Sequence, residues 1–159
     1  MSVDIEIVKA QPEHIPGIRV VTDDVFRPFA IVAMIQDKYG CPTNRDWLDL
    51  KMDQLEADLK ADPDGFLVAL CDGEVAGYVT SVADKLSGCG RIPNLAVSSK
   101  YQGKGISRML MEAAEEYMKA QGMSLLKIET LETNEVCRTY YPRLGFEEIA
   151  RQIHFVKKL

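Results

Sequence analysis

Ile92-Pro93-Asn94-Leu95-Ala96-Val97-Ser98-Ser99-Lys100-Tyr101-Gln102-Gly103-Lys104-Gly105-Ile106-Ser107-Arg108 is the most informative stretch of this 159-residue chain. Its first part, Ile92 to Val97, is a short apolar run that reads as a strand. Its last part opens a helix-period stripe, Ile106, Met109, Leu110, Ala113, Ala114, Tyr117 and Met118, which faces a core. Between the two lies a turn with glycines at 103 and 105. A strand that feeds such a turn and then a helix N-terminus leaves several backbone N–H groups unpaired and aimed at one spot. The helix dipole adds positive potential there, so the natural guest is an anion, most often a phosphate or pyrophosphate.

Working downstream, Gly122 stops the helix and Ser124–Thr130 reads as another strand. Asn134 is a good N-cap for a short helix through Cys137, Tyr140 and Leu144, closed by Gly145. Phe146–Ala150 and Gln152–Val156 read as a final pair of strands. Upstream, Asp72-Gly73 is a hairpin turn between Phe66–Leu70 and Val75–Val82, and Gly77 invites a bulge or a close backbone approach. Arg45–Lys60 is an amphipathic helix with Trp47, Leu48, Met52, Leu55 and Leu59 on one stripe. Val3–Lys9 alternates as a first strand, and Gln11-Pro12-Glu13 opens a helix on which His14 is a surface or capping residue. The segment 23–45 is broken by Pro28, Gly40 and Pro42 but rich in apolar residues; it either walls a substrate site or is ordinary packing. The order β-α-α-β-β-β-α-β-α-β-β calls for one domain over residues 1–159, an α/β fold with a mixed sheet flanked by helices.

Composition narrows the function. The chain is 47% hydrophobic and 27% charged, which suits a soluble globular protein. No run is apolar enough to span a bilayer, and Met1-Ser2-Val3-Asp4-Ile5-Glu6 does not resemble a secretory leader, so the expected location is cytoplasmic and away from membranes. The net charge of −5 speaks against nucleic acid as a main partner. Residues 1–65 carry 13 acidic and 7 basic side chains, against 11 and 12 in residues 66–159. That asymmetry fits either a cationic second substrate or plain solvated helix faces. Cys41, Cys71, Cys89 and Cys137 are far apart, and with only His14 and His154 beside them no metal site is expected.

Two motifs in this order resemble the GNAT superfamily of acetyl-coenzyme A-dependent N-acetyltransferases. The family's pyrophosphate loop, Q/R-x-x-G-x-G/A, is matched by Gln102-x-x-Gly105-x-Ser107, with serine in place of the last small residue. The family's closing segment is matched by Asn134 followed by Tyr141-Pro142-Arg143-Leu144-Gly145-Phe146, with Pro142 where the family often has Glu. Within the family, Asn94-Leu95-Ala96-Val97 and Glu129, Asn134 and Tyr141 look most like the bacterial ribosomal-protein alanine N-terminal acetyltransferases. The resemblance implies a GNAT-type mixed sheet, splayed at its centre, of about seven strands flanked by about four helices.

The resemblance also implies a chemistry. Acetyl-CoA would lie along Leu95, Ala96 and Val97, with the Leu95 N–H as the donor to the acetyl carbonyl. The amides of Gly103, Lys104, Gly105, Ile106, Ser107 and Arg108 would hold the pyrophosphate beside Gln102, Lys104 and Arg108 would add charge, and Asn134 would bond the pantetheine arm. Tyr141 is the implied general acid toward the leaving thiolate, with core-edge packing as the alternative, and Tyr140 is assigned to the core. Glu129 is the implied general base if its strand register turns it to the cleft, and otherwise a solvated or ion-paired glutamate, with Glu132 and Asp84 in reserve. Arg91 stands where the histone-type branch has its glutamate base. The expected activity is acetyl transfer to an amine or peptide acceptor, without a metal; the alternative is an acyl-CoA-binding sensor without turnover. The apolar segment 23–45 and the terminal strands offer surface for a homodimer.

Overall fold

The computed structural model describes residues 4–159; Val3, read as part of the first strand, lies outside them. A five-stranded mixed sheet has the order β1 (Ile5–Lys9), β2 (Phe66–Cys71), β3 (Glu74–Asp84), β4 (Cys89–Val97) and β5 (Leu125–Ile128). β1 to β4 are antiparallel neighbours, and β5 joins β4 in parallel. The helices are α1 (Ile15–Val25), α2 (Ile31–Tyr39), α3 (Trp47–Ala61), α4 (Ile106–Ala120) and α5 (Glu135–Arg143). The ambiguous segment 23–45 thus resolves into the end of α1, a 3-10 turn at Arg27–Phe29, and α2.

Each sheet face has its own core. Ile18, Val21, Trp47, Met52 and Leu55 of α1 and α3 pack with Val68, Tyr78 and Ala96 on one face. Ile106, Leu110, Met111 and Ala114 of α4 pack with Leu67, Ala69, Val79 and Ile92 on the other. The helix-period stripe of α4 therefore lies on the sheet as its spacing requires. His14 is a capping residue, accepting a bond at Nδ1 from the Gln11 N–H at 3.0 Å.

Two bulges break the period-two alternation. On β3, Ala69 pairs with Gly77 and Leu70 with Val75, so Ala76 is extra. Gly77 satisfies both readings of its sequence position: a Cβ there would stand 2.6 Å from the Ala96 carbonyl oxygen. The second bulge is on β4 and builds the site below.

The strand count is corrected from about seven to five. Phe146–Ala150 and Gln152–Val156 form no strand, and Ile149, Ile153 and Phe155 are exposed. Alternation makes a strand only where a partner edge and a surface to cover are both at hand. β5, the edge they would need, is four residues long, and its Leu125 is itself 67% exposed. The helix count is five rather than about four.

Candidate active site

The site begins with the bulge on β4. Thr80 pairs with Asn94 and Val82 with Arg91, so Ile92 and Pro93 stand together against Ser81. Proline, which has no N–H for a ladder, suits this place. The extra residue reverses the alternation. Ile92, Leu95 and Val97 face α4, whereas Asn94 and Ala96 turn toward the opposite helices. The pairing of β4 with β5 ends at the same point, its last pair being Ile92 and Ile128. Beyond it, Leu95, Ala96 and Val97 keep β3 on one side and, among the described residues, have no strand on the other. A fork opens there, lined by backbone groups that no neighbouring strand satisfies.

Below the fork, Val97 leads into the glycine turn. Gly103 and Gly105 have φ of +78° and +76°, in the left-handed region that favours glycine, with nothing within 4 Å of where a Cβ would stand. Gly105 is the N-cap of α4 and offers no side chain to the first amides of the helix. The N–H groups of Ile106, Ser107 and Arg108 therefore open onto solvent without an intrahelical acceptor. The loop is braced on three sides. Gln102 Nε2 donates to the Val97 carbonyl at 3.3 Å, and the Tyr101 hydroxyl donates to Glu74 Oε2 at 2.7 Å. Asp24 at the end of α1 accepts from the Ser99 N–H at 2.7 Å and from the Ser98 hydroxyl at 2.9 Å. Lys104 Nζ lies 5.3 Å over the Tyr101 ring, and Arg108 pairs with Glu112 at 2.8 Å.

α5 stands beside the start of α4. Asn134 caps it, its Oδ1 accepting from the Cys137 N–H at 3.2 Å. Tyr141 is buried, edge-on to Phe146 with ring centres 5.9 Å apart. Burial, with the Cys137 thiol alongside, pushes its phenol well above the ordinary value, so it stays in the proton-donating form. Tyr140 is not a core residue: it is half-buried, and its hydroxyl accepts from Ser107 Oγ at 3.1 Å, tying α5 to the phosphate-loop helix. A helix turns about 100° per residue, so adjacent tyrosines diverge, and this one meets the neighbouring helix tip.

Glu129 lies just past β5. Leu126 and Ile128 pack toward α4, so Lys127 and Glu129 face the other way, where they pair at 2.7 Å in an exposed setting. Glu132 is exposed and pairs with Arg151, and Asp84 closes its own turn through Ser87 at 2.7 Å. The α3 face of the fork holds a polar cluster that sequence reading did not single out. Asn94 is buried there, bonded by Lys51, and donates to Asp58 Oδ2 at 3.2 Å and Thr80 Oγ1 at 2.9 Å. No motif spacing joins positions 51, 58, 80 and 94; the sheet alone brings them together. The structure thus places Leu95–Val97 at the fork, Gln102–Arg108 in the turn below it, and Asn134 and Tyr141 on α5, which Tyr140 ties to the tip of α4, while Glu129, just past β5, is held in an ion pair. Among the described residues no cluster of three or more His, Cys, Asp or Glu side chains is placed to hold a metal. No helix there is long and apolar enough to cross a membrane.

Residues 32–146 match the model of the acetyltransferase (GNAT) family. An acetyltransferase of Pectobacterium atrosepticum is 31% identical over 125 residues, which is 79% of this chain and 86% of that protein. The PaiA N-acetyltransferase of Thermoplasma acidophilum, solved with coenzyme A, shares the fold with a TM-score of 0.72 at 19% identity, over 91% of this chain and 90% of that one. The aminoglycoside N-acetyltransferase AAC(6')-Iy, also solved with coenzyme A, gives 0.70 at 18% identity over 100% and 98%.

Proposed function

Since this chain belongs to the acetyltransferase (GNAT) family, we propose that it moves the acetyl group of acetyl-CoA to a primary amine, a peptide N-terminus or a small molecule, by direct attack in a ternary complex. It is an acyltransferase, and acetyl-CoA is its co-substrate. The observation that carries the reading is the fork between β4 and β5 placed directly above the positive-φ glycine turn. The open space around Gly103 and Gly105 suits a pyrophosphate, and the unpaired edge of Leu95–Val97 suits the amides of a pantetheine arm. In this reading the whole of residues 1–159 acts as one catalytic domain.

The roles follow from the surroundings of each group. The amides from Gly103 to Arg108 take the phosphate charge, with Gln102 holding the loop to Val97. The Leu95 N–H polarises the acetyl carbonyl and meets the negative charge that develops on its oxygen. Tyr141, held protonated by burial, gives its proton to the leaving sulfur. Asn134 positions α5 through its cap and borders the pantetheine arm. The likeness to the ribosomal-protein alanine branch, carried by Glu129, Asn134 and Tyr141, puts a peptide beginning with alanine on the panel of acceptors to be tried beside small amines.

The test is thiol release from acetyl-CoA with a panel of amines and N-terminal peptides, alongside thermal stabilisation by coenzyme A, ATP and NAD. Expected are turnover with at least one amine and stabilisation by coenzyme A alone. Stabilisation without any turnover would mean a binding module instead.

A further inference from the structure

The fork has two faces, and the coenzyme residues occupy one. α4 and α5 lie together on that face, joined by Ser107 and Tyr140, with Leu144 and Phe146 packed against the α4 core. That leaves the α3 face for an acceptor amine, where Asp58 is half-buried and Arg91 exposed. Lys51 from α3 reaches in, its Nζ donating to Asn94 Oδ1 at 2.5 Å and lying 4.7 Å over the Phe26 ring. Asp58 stands seven positions further on the same helix and so shares its face. Asn94 spends its amide on both, its oxygen on the cation and its nitrogen on the carboxylate.

Two groups in this cluster keep free valences. Asp58 is half-buried, and its Oδ1 has no donor among the described residues, Oδ2 alone being bonded to Asn94. Arg91 is exposed on β4 at the edge of the bulge, acts electrostatically on Asp58, and forms no ion pair among the described residues. From β5, Lys127 and Glu129 face the same way but cancel one another. An alkylammonium must lose a proton before its nitrogen can attack. A carboxylate partly removed from water, with one oxygen uncommitted, is the group on this face able to take it.

We propose that the acceptor enters the fork from the α3 face, that Asp58 Oδ1 takes a proton from its ammonium group, and that Arg91 holds an anionic group carried beside that amine. This rests on the reading of the protein as an acetyltransferase of amines. Asp58 is then the catalytic base, and Lys51 and Asn94 are positioning residues that hold its carboxylate. One proton passes from the ammonium to Asp58 and on to water. The freed nitrogen pair forms the C–N bond, the C–S bond breaks with its electrons on sulfur, and the second proton shed by nitrogen balances the one that sulfur gains. Burial raises the Asp58 carboxyl above its ordinary range, with Lys51, Arg91 and the Asn94 bond pulling back. That direction moves the base toward neutral pH, where it works best. Lys51 and Arg91 stand against one carboxylate, Asp58, so the acceptors favoured are amines with their own carboxylate or phosphate, not polyamines.

Initial rates of thiol release with an amino acid, its carboxamide and a polyamine test this, together with calorimetry of coenzyme A binding. In the wild-type protein the amino acid should be the best substrate of the three. Asp58→Asn should lower kcat/KM for the amino acid about 100-fold and remove the acidic limb of its pH profile, with coenzyme A affinity unchanged. Arg91→Ala, a change on an exposed side chain, should raise KM for the amino acid about tenfold and leave the KM for the carboxamide unchanged. An intact acidic limb in Asp58→Asn, a preference for the polyamine, or an equal effect of Arg91→Ala on both small amines overturns the proposal. Should Asp58→Asn fail to bind coenzyme A, the Arg91→Ala comparison decides alone. A wild-type protein that binds coenzyme A but acetylates no amine overturns the amine-transferase reading itself.

Discussion

The two faces of the fork are built from the same few residues of β4 yet recruit different chemistry. Toward α4, the proposed working groups are backbone amides, two glycines and a buried phenol. Toward α3, they are a lysine, an asparagine and a carboxylate joined through the asparagine, with an exposed arginine acting on the carboxylate by its charge. The first kind of site grips a shape common to every member of a coenzyme class. The second is made of side chains that can be exchanged without disturbing the backbone, which suits the side of the reaction that varies. The bulge at Ile92 and Pro93 decides which residue serves which face, because it shifts the alternation so that Asn94 turns toward α3 and Leu95 toward α4 at the point where β5 leaves.

Four substitutions break or sharpen this contrast. Tyr141→Phe removes the proposed proton donor from the α4 face while keeping its ring; kcat should fall about 100-fold with coenzyme binding near normal by calorimetry. An unchanged kcat would move proton donation away from α5. Gly77→Ala drives a methyl group toward the Ala96 carbonyl, which lies 2.6 Å from that point, and so distorts the strand shared by both faces. Thermal unfolding should report a loss of about 1–3 kcal/mol, with both substrates bound less well. Gly105→Ala strains a left-handed N-cap at a cost of about 1–2 kcal/mol, read as roughly tenfold weaker coenzyme A binding with the KM for the amine unchanged. Asp24→Asn, the smallest change, loosens the brace on Ser98 and Ser99 and should raise the KM for acetyl-CoA a few-fold. The Ser99 N–H holds the Asp24 carboxyl below its ordinary value. Its folded pKa is depressed, so the brace is complete above the ordinary carboxylate range and is lost as pH falls through the lowered value. Hydrogen exchange of the 98–105 amides against pH would show that loss.

The α4 face was legible in the chain because its parts are contiguous. A strand, two glycines and a helix stripe within residues 92–108 carry their geometry in local propensity, and the structure keeps their order. The short helix from its Asn134 cap through Tyr141 was legible for the same reason. The α3 face was not, since Lys51, Asp58, Thr80 and Asn94 belong to three elements whose meeting depends on sheet register and on a bulge that shifts it by one residue. Asn94 was visible only as one letter of a motif. Glu129 illustrates the converse: its spacing to Asn134 was plain, but whether its carboxylate is spoken for, here by Lys127, is a matter of side-chain packing. The terminal segments failed for a third reason, an alternating pattern with too short an edge to join.

Asn94 and Leu95 are consecutive links of one chain, the first clasped by Lys51, Asp58 and Thr80 and the second packed toward α4, where the coenzyme is proposed to lie. A ligand that stiffens either link stiffens its neighbour. Thermodynamic reciprocity then demands that whatever factor the amine contributes to coenzyme affinity, the coenzyme returns in full to the amine. Any cooperation between the two proposed substrates would have a single peptide bond as its shortest route.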